Sequence, residues 1–207
     1  MICNPIGTTF KSRTNIYYFN EFKYFAKITS FNTTAYAVNG EFQGCSNLVE
    51  IDLKNISYLS CACFQNCSKL KHLNNLSKTI LFETNGVGPI QGCRALEGEI
   101  DLTDGSWYRN GKTNNLGSQV FRNTGLSVIH LPKTTSSITS GYVFMDASRL
   151  KSLIIPGDTL VTITNTTLSG MPAATKIYVP DELVASYKAA SYWSARASYI
   201  KPLSEYE

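Results

Sequence analysis

Apolar and polar residues recur in a fixed order along most of the chain. From Phe42 to Leu53 the order is an aromatic residue, a cysteine three places later, a leucine three places after that, and then two apolar residues separated by one polar residue. Such alternation predicts a short strand with one buried face. Similar stretches begin at Phe42, Phe64, Ile90, Phe121, Phe144 and Leu168, so the chain repeats itself every 22 to 31 residues.

The copies differ in ways that bear on the predicted strands. In the third copy one inserted residue displaces the apolar pair Ile100 and Leu102 from the preceding leucine. Proline follows the strands that end at Leu131, Ile155 and Val179. Because proline cannot donate to a strand ladder, it ends each of these strands.

A single copy is too small to bury its own apolar residues, whereas stacked copies share one continuous core. Stacking predicts a solenoid whose short strands form a parallel sheet, right-handed by the usual sense of such crossovers. The aromatic residue and the cysteine of each copy are then expected to form internal columns, each residue packed on its equivalent one coil away.

The full pattern, F-x-x-C-x-x-L-x-x-I-x-L/I-P, resembles that of the BspA-like leucine-rich repeat family. Residues 19–31 resemble the entry segment of that family and residues 177–203 its closing segment. The resemblance implies a mainly β, right-handed leucine-rich-repeat solenoid of about six coils with short parallel strands and a C-terminal helical cap. The expected division is an N-terminal arm and cap (1–41), the repeats (42–180) and the cap (181–207).

Both ends of the solenoid need a cover. After the last strand, Asp181 is placed to cap a helix, and Leu183, Tyr187 and Ala190 form one apolar stripe on it. Trp193 is expected to anchor the turn that follows. At the other end, the aromatic residues of segment 17–25 either form an attachment arm or cover the first coil; the second interpretation is favoured.

Two places are candidates for binding a partner. The longest copy contains Trp107-Tyr108-Arg109 among turn residues, so these three are expected at the tip of a protruding loop, where Trp and Arg favour recognition. The other interpretation, which is favoured, is that Trp107 folds back to cover the neighbouring coil. The second candidate is a strip of outward-facing polar residues on the strands, namely Glu50, Asp52, His72, Asp101, His130 and Ser152.

Composition narrows the choice of partner. The chain has 207 residues, of which 16% are charged, and a net charge of +4 without a basic run, so no nucleic-acid partner is expected. Its apolar stretches are shorter than the ~18 residues of a membrane span, and its first residues lack the features of a secretory signal. Membrane insertion is therefore not expected.

Residues for catalysis are scarce. Six cysteines include Cys61, Cys63 and Cys67, whose spacing lacks the pairs typical of zinc sites, so no metal is expected. The only histidines are His72 and His130, and no nucleophile elbow, phosphate loop or zinc-protease motif is present. A thiol enzyme that pairs His72 with a repeat cysteine is kept as an alternative, but the prediction is no enzyme and no cofactor.

The leading hypothesis is therefore a non-enzymatic binding and adhesion module that recognises a protein or glycan. The family resemblance implies a cell-surface or secreted protein of gut or oral bacteria, although this chain shows no signal peptide. The second hypothesis is a phage virion component, either a fibre or a capsid decoration, motivated by the initial Met1 and the missing export signal. The protein is expected to be a monomer or a part of a larger assembly.

Overall fold

Every repeat copy contributes a short strand to the same face of a stack of coils. The structure is a computed structural model that describes residues 10–24, 30–31, 40–84, 86–108, 115–117, 119–139 and 141–207. In chain order its strands are β1 (Tyr18–Phe19), β2 (Ser30–Phe31), β3 (Glu50–Asp52), β4 (Tyr58–Leu59), β5 (His72–Asn74), β6 (Leu81–Glu83), β7 (Glu99–Asp101), β8 (Ser106–Tyr108), β9 (Asn115–Leu116), β10 (Val128–His130), β11 (Ser137–Ile138), β12 (Ser152–Ile154), β13 (Thr162–Ile163), β14 (Lys176–Val179) and β15 (Ile200–Pro202).

The strands lie on two faces of the stack, and every strand pair is parallel. One face consists of a three-stranded sheet, β1-β3-β5, and a five-stranded sheet, β7-β10-β12-β14-β15. The other face consists of β2-β4-β6-β8 and β9-β11-β13. Neighbours in the first face pair in simple register, with Glu50 opposite His72 and Val128 opposite both Glu99 and Ser152. The predicted solenoid of short parallel strands is thereby confirmed.

The predicted columns form the core. The rings of Phe10, Phe42 and Phe64 stack with centroids 5.1 and 5.4 Å apart, and those of Phe121 and Phe144 stack at 5.8 Å. Stacking at these distances adds to the free energy gained by burial.

The repeat cysteines form a second column beside the rings. Cys45, Cys67 and Cys93 are buried thiols rather than disulfides. Each thiol donates to the carbonyl of the residue that opens the preceding copy, and the S–O distances are 2.8, 2.9 and 3.1 Å. A small side chain with a weak donor suits this position, because it fills the core and pairs a buried carbonyl.

Two residues after the start of each copy, the chain turns through a left-handed conformation. The residues with positive φ are Gly44, Asn66, Gly92, Asn123, Asp146 and Gly170. Glycine, asparagine and aspartate tolerate this conformation best. The corner N–H groups of Gly44 and Asn66 donate to Gln65 and Gln91 of the next coil at 2.8 and 2.9 Å. The corner thus supplies one main-chain hydrogen bond between coils.

A further coil precedes the first copy that the sequence revealed. Ser12 lies two residues after Phe10, has a φ of 57°, and donates its N–H to Gln43 at 2.7 Å, as the other corners do. β1 then pairs with β3. The segment expected to be an arm and cap therefore extends both faces of the stack with β1 and β2.

The C-terminal segment continues the stack and then covers it. It contains 3₁₀ helices at Asp181–Leu183, Ser194–Tyr199 and Leu203–Glu205, and the helix α1 at Val184–Ala189. β15 adds the last strand of the first face. The prediction that Asp181 caps a helix is wrong: its Oδ1 instead accepts a hydrogen bond from the N–H of Ser204 at 3.1 Å, because a 3₁₀ turn begins there.

Two aromatic side chains of the cap hydrogen-bond to the backbone of a single residue, Val161, at the end of the second face. The hydroxyl of Tyr187 accepts a hydrogen bond from the N–H of Val161 at 3.0 Å, and Nε1 of Trp193 donates to the Val161 carbonyl at 2.8 Å. Both aromatic side chains are buried and their rings meet edge to face. The cap therefore provides hydrogen-bond partners for main-chain groups beside β13, the last strand of the second face, as a buried sheet edge requires.

Replacing Tyr187 with Phe will lower the free energy of unfolding by about 1–3 kcal/mol, since it leaves the N–H of Val161 buried without an acceptor. Urea unfolding followed by circular dichroism measures the change. Tyr192→Phe is the matched control, because Tyr192 is exposed and should tolerate the loss of its hydroxyl. Equal stability of both variants would contradict the proposed role of the Tyr187 hydroxyl.

At the corner position Asn123, which has a φ of 52°, Asn123→Ala will destabilise the protein by about 1 kcal/mol because alanine is strained in this conformation. Asn123→Gly will change the stability little, since glycine adopts positive φ freely. Denaturant midpoints of the two variants check this order. A glycine variant less stable than the alanine variant would refute it.

Candidate binding face

The outward side chains of the first face form two parallel rows, one on each side of the buried middle residue of every strand. The strand register places in the first row Tyr18, Glu50, His72, Glu99, Val128, Ser152 and Lys176. The second row contains Asp52, Asn74, Asp101, His130, Ile154, Tyr178 and Lys201. The strip predicted from the sequence is thus divided between two rows with different surroundings.

The second row is largely covered. The ring of Tyr206 packs edge to face against His130 at 5.6 Å and against Tyr178 at 5.0 Å. Ile154 and Tyr178 are buried. The sequence alternation did not reveal this, because the covering residue lies far along the chain.

The prediction that Asp52 belongs to an exposed strip is wrong. Its side chain is buried, and its two oxygens accept hydrogen bonds from the N–H of Lys54 and from Nδ2 of Asn75, both at 3.0 Å. Asp101 accepts from the N–H of Thr103 in the same way, at 3.0 Å. Both aspartates therefore close the turn after their strand.

The first row is open to solvent at both ends and in the middle. Tyr18 is 63% exposed, and His72, Glu99 and Lys176 are exposed as well. Glu50 is half-buried and accepts hydrogen bonds from the amides of Asn20 and Asn74. The row thus presents aromatic, imidazole, carboxylate and ammonium groups on adjoining coils.

Carboxylates of the third copy lie beside basic side chains of the adjoining coils. The ion pairs are Lys71–Glu97 at 3.3 Å, Lys78–Asp101 and Lys133–Asp104 at 3.0 Å, and Nε2 of His130 lies 3.7 Å from Glu99. Partial burial acts to raise the pKa of Asp101, but the hydrogen bonds from Lys78 and Thr103 together outweigh it and hold that pKa below its usual range. The exposed pairs add little stability each, yet they fix the relative positions of these side chains.

The first face is interrupted between β5 and β7, which do not pair in one ladder. The residue inserted in the third copy explains the break: Gly98 has a φ of 77°, and its carbonyl accepts from the N–H of Ser127 at 2.8 Å. An extra residue of this kind is a β-bulge, which locally disrupts pairing. A cleft of about 320 Å³ lies between the two strands.

Trp107 is folded onto the neighbouring coil, as the favoured interpretation predicted, and the other interpretation, an exposed Trp107 that binds a partner at a loop tip, is wrong. Trp107 is fully buried. Its Nε1 donates to Oγ1 of Thr135 at 2.8 Å, and its ring lies 6.0 Å from that of Phe82 and 6.2 Å from that of Phe121. The cause is the pairing of β8 with β6, which places Trp107 opposite Phe82.

The other two residues of that predicted site, Tyr108 and Arg109, lie largely outside the described residues. The backbone of Tyr108 pairs with that of Glu83 in the β6–β8 ladder. The side chain of Tyr108, and Arg109 altogether, lie outside the described residues.

The thiols are poorly placed for chemistry. Burial raises the pKa of Cys93 to about 12 and that of Cys67 well above its ordinary value, so both are protonated and unreactive. His72 is exposed, whereas Cys45 and Cys67 are buried. Cys3 lies outside the described residues.

Within the described residues, no group of three or more His, Cys, Asp or Glu side chains could hold a metal ion. The same part of the chain has no helix that is both long and apolar enough to cross a membrane.

A buried carboxyl group escaped the sequence analysis. Glu41 is fully buried directly before Phe42; its Oε2 accepts from the hydroxyl of Ser60 at 3.0 Å, and its Oε1 has no partner among the described residues. Burial, with a smaller contribution from the charge of Glu83, raises the pKa of Glu41 to about 7. Glu41 carries no signal in the sequence, because a glutamate before the repeat resembles a polar turn residue.

One first-face strand per coil, parallel ladders and columns of repeated apolar residues define a leucine-rich-repeat solenoid. The chain belongs to the BspA type leucine-rich repeat family, whose model matches six copies over residues 9–87 and 110–201. Repeats of this family are used for protein binding or adhesion, are typically not catalytic, and are commonly found in surface-associated proteins.

A leucine-rich repeat protein from Bacteroides ovatus ATCC 8483, solved by crystallography at 1.19 Å resolution, is similar to this chain at 18% identity with a TM-score of 0.40. The match covers 80% of this chain and 45% of the other, so this chain spans less than half of that protein. No curated protein matches the chain.

The stability of the protein will fall as the pH rises from 4.5 to 7. The pKa of Glu41 rises from 4.5 to about 7 on folding, so between these pH values the folded state binds more protons than the unfolded state. The stability that this proton binding contributes is lost as the pH rises to 7. At about 1.4 kcal/mol for each pKa unit, the loss amounts to about 3 kcal/mol.

Unfolding in urea at several pH values measures this dependence. Glu41→Gln should flatten the curve between pH 4.5 and 7, whereas Glu182→Gln, at an exposed position, should leave it unchanged. A curve of the same slope in the Glu41 variant would show that another group is responsible.

Proposed function

We propose that this protein is a non-enzymatic adhesion module, cell-surface or secreted, that binds a protein or glycan through the first row of its strand face. The observation that carries the proposal is the run of different exposed groups on successive coils, among them Tyr18, His72, Glu99 and Lys176. Solenoids offer such extended surfaces because their outward residues vary without disturbing the core.

The rigidity of the scaffold supports this role. Side-chain amides of Gln43, Gln65, Gln91 and Gln119 hydrogen-bond from one coil to the next, with distances of 3.3 and 2.7 Å for the last two steps. Together with the corner hydrogen bonds, this amide ladder holds neighbouring coils in one arrangement. A surface that is rigid before binding loses less conformational entropy when a partner docks.

The charges beside the first row indicate at which end of the first face an acidic partner would bind. A hollow of about 710 Å³ on the later coils is lined by Arg149, Lys151 and Lys176 on one side and by Glu97 on the other. Positive groups at this end attract carboxylates of a partner and raise its association rate. Tyr18, at the opposite end of the first row, offers an apolar contact surface, and tyrosine is frequent at binding hot spots.

The test is a host-protein and glycan array with the whole protein, followed by affinity measurements on each hit. A variant with Tyr18→Ala, His72→Ala and Lys176→Ala should lose at least tenfold in affinity, because all three changes remove exposed groups of the first row. The control variant carries Tyr199→Ala and Lys188→Ala, which are exposed elsewhere, and should bind as the parent does.

Unfolding curves of both variants exclude loss of structure as the cause. The proposal fails if the parent binds nothing on the arrays. Equal losses in the two variants would show that the first row is not the binding site.

A further inference from the structure

The cleft between β5 and β7 is the place where the regular face opens. In the neighbouring copies the middle of the strand lies three positions after the leucine, as Leu73 does after Leu70, whereas Ile100 lies four positions after Leu96. A side chain at Gly98 would meet no atom within 4 Å, so its glycine serves the backbone conformation alone. Bulges of this kind are functional features rather than defects, and they end strand pairing at a defined position.

The two walls of the cleft carry opposite charges. The wall that belongs to the coil of β5 contains Lys71, His72 and Lys78. The facing wall, which belongs to the coil of β7, contains Glu97, Glu99 and Asp101. Both lysines already pair with carboxylates across the cleft, Lys71 with Glu97 at 3.3 Å and Lys78 with Asp101.

We propose that this cleft binds an extended peptide segment that carries both acidic and basic side chains. The inference rests on the proposed function, because it names the chemistry of a partner for the same face. A ligand with both charges replaces each ion-pair partner that it displaces, with acidic groups toward the β5 wall and basic groups toward the β7 wall. A ligand of a single sign leaves one wall without partners and is disfavoured.

The backbone favours a peptide over a sugar. β5 and β7 are each hydrogen-bonded to a neighbour on one side and end their sheets at the cleft, so their facing edges can accept another main chain, as in β-strand addition. The residues that line the cleft include leucines such as Leu73 and Leu96 but no Phe, Tyr or Trp. Sugar rings are commonly bound by stacking on those three side chains, and this cleft offers none of them among its described residues.

The experiment measures fluorescence anisotropy of three end-blocked, labelled octapeptides with the whole protein at 0.15 M salt. The first alternates Glu and Lys, the second contains only Glu and Ser, and the third only Lys and Ser. The alternating peptide should bind at least tenfold more tightly than either single-sign peptide. Equal binding of a single-sign peptide overturns the proposed ligand chemistry.

Two variants locate the binding site. Deletion of Gly98 restores the regular spacing and should abolish binding by joining β5 to β7. Because a deletion can impair folding, a second variant, Lys78→Ala with Glu97→Gln, alters one group on each wall outside the first row and should weaken binding at least tenfold. Lys188→Ala with Glu182→Gln changes the same residue types at exposed positions of the cap and should have no effect.

The outcomes separate this inference from the proposed function. Peptide binding that survives both cleft variants places the peptide elsewhere and overturns the inference. No peptide binding, with array binding that the first-row variant loses, overturns the inference alone. No binding in either assay overturns both.

Discussion

The structure depends on one constraint: each coil must bury its inward side chains against the equivalent side chains of the next coil. No coil has a core of its own, so the aromatic column, the thiol column and the corner hydrogen bonds must all repeat at the same height. The stacked rings of Phe42 and Phe64, 5.4 Å apart, and the corner bond from Gly44 to Gln65, 2.8 Å long, express this single requirement. Ion pairs contribute less to holding the coils together than this packing does, because they lie at the surface.

The same constraint explains what the sequence could predict. Residues that must repeat are visible as a pattern, so the strands of the first face, the columns and the C-terminal cover could be predicted from the spacing, whereas the second face was not predicted. The coil at Phe10 was missed because Arg13 stands where later copies have cysteine, although Ile16 and Phe19 keep the apolar spacing. A pattern anchored on the apolar positions alone would have found it.

The candidate site was predicted less well, because exposure depends on contacts between distant parts of the chain. The turn residues around Trp107 left two interpretations open, an exposed tip and the favoured burial, and only the strand pairing places it in the core opposite Phe82. Asp52 has the outward phase of its strand but is buried in the turn that follows. The inserted Gly98 was visible in the sequence, whereas its effect on the ladder needed the structure.

Coverage of the second row by Tyr206 has a consequence for how this surface can change during evolution. With one row left open, each coil offers one principal side chain to a partner, and paired strands space these side chains by about 4.8 Å. A substitution in one coil then alters one contact and leaves the neighbouring contacts in place. Specificity on such a surface can be rewritten one position at a time, while the buried columns stay unchanged.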